Sequence, residues 1–175
     1  MSLANGQSYL AIPGPSVVPE AVLRSMHRSS PNIYEGELVD MVPSIVSDLR
    51  YVARTDQNVA LYIANGHGAW EAALANMAGP GDTVLVAATG QFAHSWAEMA
   101  ETLGIKVEII EFGTQSTIEA TRVSEALMAD KAQRIKAVLV THVDTSTSIK
   151  NDINEVRAAI DGADHPALLA VDCIA

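Results

Sequence analysis

Residues 65–86 read NGHGAWEAALANMAGPGDTVLV: a glycine turn (Asn65-Gly66-His67-Gly68) runs into an alanine-rich helical stretch, which closes near Gly79-Pro80-Gly81 and gives way to an apolar strand. A helix opening on such a turn leaves its first amide N–H groups without intrahelical acceptors, and a phosphate suits them. Gly66 and Gly68 are expected to permit a sharp backbone turn, with His67 reaching a ligand through its backbone N–H or merely covering the turn. Strand-turn-helix junctions also carry glycines for packing alone, so these residues leave ligand binding and packing both open.

Outward from this stretch, short runs rich in Val, Ile or Leu recur at 59–64, 83–88, 107–112, 137–141 and 167–171 and predict strands. Helical patterns fall between them: 70–77; 92–103, closed by Gly104; 118–129, with Ser116 as a cap; and 153–160, capped by Asp152 and stopped at Gly162. Alternating strands and helices, with strands apolar on both faces, imply an α/β fold: a mainly parallel sheet in a three-layer α/β/α arrangement. Ligands gather at the carboxyl ends of such strands, so the polar residues just past them carry the chemistry. The first fifty or so residues read as an extended piece through 12–16, a short helix at 19–26, a loop through Tyr34 and a longer helix to about Val52.

A formal charge of -10 with only 11 Lys plus Arg argues against extended contact with nucleic acid or an anionic membrane, and favours a small ligand. No charged-then-apolar leader and no apolar run of bilayer length is seen, so a cytoplasmic protein is expected. Cys173 is the single cysteine and has no neighbour at metal-ligand spacing; it is expected to be a small buried apolar residue, and no metal is expected.

Three stretches follow strands. Asp172 comes directly after the apolar run 168–171, where an acid is poorly solvated unless it meets a cation such as a protonated ring nitrogen; a capping or loop aspartate is the alternative. The segment Thr141-His142-Val143-Asp144-Thr145-Ser146-Thr147 offers hydroxyls and an imidazole to the same edge, or is simply a polar turn with a helix cap. Phe92, past the turn at Thr89-Gly90, either stacks on a flat ring or is buried against a helix. Trp70 and Trp96 are expected to be helix-packing residues.

Five segments in order, YLAIPGPSVVPEAVLRSM (9–26), NGHGAWEAALANMAGPGD (65–82), TGQFAHSWAEMAETLG (89–104), THVDTSTSIKNDINEVRAAID (141–161) and HPALLAVDCIA (165–175), resemble the class V pyridoxal-phosphate-dependent aminotransferases, most closely the serine-glyoxylate and alanine-glyoxylate enzymes. The resemblance implies the large domain of fold type I. It also implies pyridoxal 5'-phosphate as cofactor, with Asn65, Gly66 and His67 at its phosphate, Phe92 stacked on its ring, Thr145 giving it a hydroxyl and Asp172 paired with its ring nitrogen. Gly14, in the loop Pro13-Gly14-Pro15, and Tyr34 would border the substrate. The implied reaction moves an amino group from a small amino acid to glyoxylate or a similar 2-oxo acid, in a homodimer whose subunits complete each other's sites.

Some positions depart from the family pattern. Asn65-Gly66-His67 stands where serine-glyoxylate enzymes show Ser-Gly-Thr, Val143-Asp144 where they show Asn-Glu, and Ser148 where they show Gly. The family's cofactor-linking lysine follows the aspartate by roughly 25 residues, a place that Lys106, Lys131, Lys136 and Lys150 do not occupy. The catalytic lysine is therefore expected beyond Ala175, and the chain alone is expected to be inactive. Residues 1–20 are expected to form an N-terminal arm and 21–175 the first part of the large domain, with the rest of that domain and a small C-terminal domain following. A cysteine desulfurase-like lyase of the same fold and a non-catalytic scaffold are the rivals. A dinucleotide-binding domain ranks last, because Gly66-His67-Gly68 lacks the third glycine of that fingerprint.

Overall fold

The structure is a computed structural model and describes residues 17–175, which divide into two compact units between Ala60 and Leu61. The first unit holds α1 (Glu20–Met26) and α2 (Glu37–Ala53), close to the two helices expected, and neither buries a residue. Gly36, at φ 85°, sets the entry to α2, and Arg54 in the left-handed region ends it.

The second unit is a four-stranded parallel sheet between helices. Its strands are β1 (Thr83–Ala88), β2 (Lys106–Glu111), β3 (Ile135–Thr141) and β6 (Leu168–Asp172), in the spatial order β2-β1-β3-β6. A small hairpin pairs β4 (Val143–Asp144) with β5 (Ile149–Lys150). The helices are α3 (Gly66–Met77), α4 (Gln91–Thr102), α5 (Ala120–Ala129) and α6 (Ile153–Gly162).

Side chains alternate across the sheet, so β1 and β3 serve two cores at once. Val84, Val86 and Leu139 pack on one face with Trp70 and Leu74 of α3 and Trp96 of α4. Leu85, Val138 and Val140 pack on the other with Val123 and Leu127 of α5 and Val156 and Ile160 of α6. After β1 the chain continues into a helix on the first face, whereas after β3 it continues, through the hairpin, into a helix on the second. Two adjacent strands whose helices leave in opposite directions make a switch point, and there the loops after β1 and β3 part to leave a crevice.

Four local expectations are corrected. Residues 59–64 form no strand; Leu61, Tyr62 and Ile63 are exposed in irregular backbone. Among the described residues no strand edge pairs with this segment, and an apolar run alone cannot hold an extended backbone whose donors and acceptors are left to water. The expectation of strands buried on both faces fails for β2, a sheet edge whose Lys106, Glu108, Ile109 and Glu111 are exposed. Ser116 does not cap α5, which starts at Ala120 after Glu119; the Ile118 N–H donates instead to Asn151 Oδ1 at 3.0 Å and holds this segment against the loop after β5. Cys173 is exposed, because it lies past the end of β6, itself a sheet edge.

Candidate active site

The register pairs Thr141 of β3 with Asp172 of β6, so both strands end at one level of the sheet. The His142 N–H donates to the Asp172 backbone carbonyl at 2.8 Å and carries the ladder one step further.

Asn65 is the N-cap of α3, its side-chain oxygen accepting the Gly68 N–H at 3.2 Å. Among the described residues no backbone acceptor meets the N–H groups of Gly66 and His67, the first two of the helix. Neither glycine has a positive φ, so space and not backbone handedness distinguishes them. Gly66 has open space where a side chain would stand, whereas a Cβ on Gly68 would collide with the Ala64 side chain. The result is an uncovered helix start able to receive an anion.

Trp70, four residues after Gly66 on the same helical face, leans back over this first turn. Its Nε1–H donates to Asp172 Oδ2 at 3.0 Å. The indole lies parallel to Trp96, with centroids 5.4 Å apart, and meets His67 and Phe92 edge-on at 4.7 and 6.3 Å. The Ile174 N–H donates to Asp172 Oδ1 at 3.1 Å. Among the described residues, two neutral donors and no cation therefore meet the carboxylate. Trp70 is the packing residue expected, and it also has a polar role; a buried indole N–H usually finds an acceptor, which is the signal its sequence position offers, although Trp96 Nε1 is buried without one among the described residues.

The loop after β1 is tied to the hairpin. Asp144, fully buried, accepts the Phe92 and Ala93 N–H groups on Oδ2 at 3.1 and 3.2 Å, and the Ser146 N–H and hydroxyl on Oδ1. Ser146 Oγ in turn accepts the Gln91 N–H at 2.9 Å. Thus α4, whose N-cap is Gly90 and has no side chain, is capped by residues more than fifty positions away. Asn151 links the ends of β1 and β3, donating to Thr89 Oγ1 and the Thr141 carbonyl at 3.0 and 2.9 Å. Neither Asp144 nor Asn151 was a candidate from the sequence, since a cap supplied by a distant segment leaves no local pattern.

These links bring Asn65, Gly66, His67, Phe92, Thr145 and Asp172 to one edge of the sheet, with Thr145 exposed between Asp144 and Ser146 on the hairpin turn. Lys106 and Lys136 lie at the opposite, amino ends of β2 and β3; Lys150 lies on the hairpin. Tyr34 is exposed in the first unit, and its N–H bonds Asn32 Oδ1 at 3.0 Å. Gly14 lies outside the described residues. Among the described residues no group of three or more His, Cys, Asp or Glu is placed to hold a metal ion, and no helix is long and apolar enough to cross a membrane.

Residues 8–175 match the family model of class-V aminotransferases. The chain belongs to that family. This class-V chain is 39% identical over 168 residues to a serine–glyoxylate aminotransferase of Methylorubrum extorquens, covering 95% of itself and 42% of the relative. It is 37% identical to an L-aspartate–glyoxylate aminotransferase of Paracoccus denitrificans, with the same coverage. Its fold superposes on the crystal structure of an alanine–glyoxylate aminotransferase from Nostoc sp. with a TM-score of 0.78 at 25% identity, covering 98% of this chain and 47% of that one. The class-V chain thus spans less than half the length of the proteins it matches, and its parallel sheet between helices is the large-domain architecture expected from its sequence.

Proposed function

We propose that this chain is the N-terminal part of an aminotransferase that moves an amino group from a small amino acid, serine or alanine, to glyoxylate or a similar 2-oxo acid with pyridoxal 5'-phosphate. The observation that carries the reading is the hydrogen bond between Trp70 and Asp172. It sets a carboxylate beside the start of a helix whose leading amides meet no backbone acceptor among the described residues, and so offers a cation-seeking group and an anion-seeking group within one crevice.

The residues fit such a cofactor. The Gly66 and His67 amides, over the open space at Gly66, would take the phosphate, with Asn65 fixing the turn. Phe92 would flank the ring, Thr145 would offer a hydroxyl, and Asp172 would keep the ring nitrogen protonated. When bound, the group supplies an electron-accepting ring that eases loss of the substrate's α proton. The protein's own part is orientation and charge: Asp144 sets Phe92 and the Thr145 turn in one frame, and Trp70 and Ile174 fix the carboxylate. The relatives' names, serine–glyoxylate and L-aspartate–glyoxylate aminotransferase, support a small donor and glyoxylate as acceptor. A lysine beyond Ala175, a substrate-bordering role for Gly14 and Tyr34, a homodimer and a cytoplasmic location belong to the same proposal.

The test is to express the whole protein from its gene, load it with pyridoxal phosphate and supply glyoxylate with serine, alanine or aspartate. Glycine formation with at least one donor is expected. A protein that neither acquires the cofactor's visible absorbance nor forms glycine would end the reading.

A further inference from the structure

We propose that Trp70 is a positioning residue for the cofactor-binding carboxylate: its indole N–H holds Asp172 in the orientation from which it meets a cationic ring, an inference that rests on the pyridoxal phosphate reading above. Asp172 is the last residue of an edge strand and only partly buried, so few neighbours surround its side chain. Trp70 is fixed: 6% exposed, stacked on Trp96 and met edge-on by His67 and Phe92. Rotation of that indole would break three aromatic contacts, so the indole, held in place, orients the carboxylate. With Trp70 Nε1–H on Oδ2 and the Ile174 N–H on Oδ1, the carboxylate plane is set by one donor on each oxygen, and each oxygen keeps acceptor capacity for a third partner.

The chemistry of the donor matters as much as its place. An arginine or lysine here would cancel the charge that a pyridinium needs. An indole N–H is neutral: it orients the carboxylate without adding a positive charge, and so leaves the full negative charge to attract that ring.

The experiment uses the whole protein, stripped of cofactor and titrated with pyridoxal phosphate, in four forms: wild type, Trp70→Phe, Asp172→Ala and the double variant. Trp70→Phe keeps a ring against Trp96 and removes the donor together with part of the buried ring volume. It is expected to weaken cofactor binding about tenfold, the effect of one hydrogen bond to a charged group, and to alter the absorbance band of the bound cofactor. In the Asp172→Ala background the same change should alter affinity by less than about twofold, because the two residues act as a unit. A merely structural tryptophan would lower thermal stability and leave the affinity, the band and the cycle flat, and that result would overturn the proposal. Should wild type itself fail to bind the cofactor, the reading of the whole site falls, and the proposal with it. Should Trp70→Phe not fold, the indole N–H resonance of Trp70 in selectively labelled wild type decides. Its displacement on loading supports the proposal, and an unmoved resonance rejects it.

Discussion

Gly90 and Asp144 are in contact so close that a Cβ on Gly90 would overlap the Asp144 carboxylate. Gly90 has φ 174°, an extended conformation open to any residue, so space and not backbone freedom demands glycine here. The contact lets one buried carboxylate reach the start of α4 and the 145–147 turn together, and thereby joins the loops after β1 and β3 at the switch point.

Gly90→Ala should therefore destabilise the protein by about 1–3 kcal/mol, the usual cost of forcing an extra methyl into a filled site. Urea unfolding of the whole protein measures it. A wild-type midpoint would mean that the carboxylate moves aside freely.

Removing the other partner should act in two places. Asp144→Ala strips acceptors from the Phe92, Ala93 and Ser146 N–H groups and should cost about 2–4 kcal/mol, the sum of a lost helix cap and unsatisfied buried donors. Because Phe92 and Thr145 share this frame, cofactor affinity should fall with stability. Asp144→Asn keeps a single oxygen, serves one loop and should lie between. Equal behaviour of Asn and Ala variants in thermal melts and cofactor titrations would sink this account.

The features legible in the sequence were local ones. The open start of α3, with Asn65 as its cap, follows from Asn65-Gly66-His67-Gly68, and the strand-end position of Asp172 from the apolar run before it. What escaped depends on partners distant in the chain. Trp70 and Asp172 are 102 positions apart, and Asp144 caps a helix whose own N-cap is a bare glycine. The absence of a strand at 59–64 has the same origin: the apolar run is real, but a strand exists only where an edge receives it.

The two kinds of strand position should differ sharply in cost. Leu139, wholly buried in β3, should lose about 2–5 kcal/mol as Leu139→Ala. Ile109 on the edge strand β2 is 42% exposed, and Ile109→Ala should cost under about 1 kcal/mol. Comparable losses in chemical denaturation would show that β2 is covered in the whole protein, contrary to its exposure here.

A last prediction concerns the opposite end of the sheet, where Asp130 closes α5. Burial pushes its carboxyl up, but the Ile135 N–H at 2.8 Å, with the Arg134 backbone N–H, side chain and charge, outweighs burial and holds it below the ordinary carboxylate range. A carboxylate whose pKa is depressed by folding contributes stability that is complete above its unfolded value and disappears as pH falls through the folded one. The stability gap between wild type and Asp130→Asn should therefore shrink below about pH 4, where an unfolded aspartate titrates. Urea midpoints of both proteins across this range give the gap directly. A gap that grows on acidification would reverse the sign and show that the carboxyl is stabilised in its protonated form.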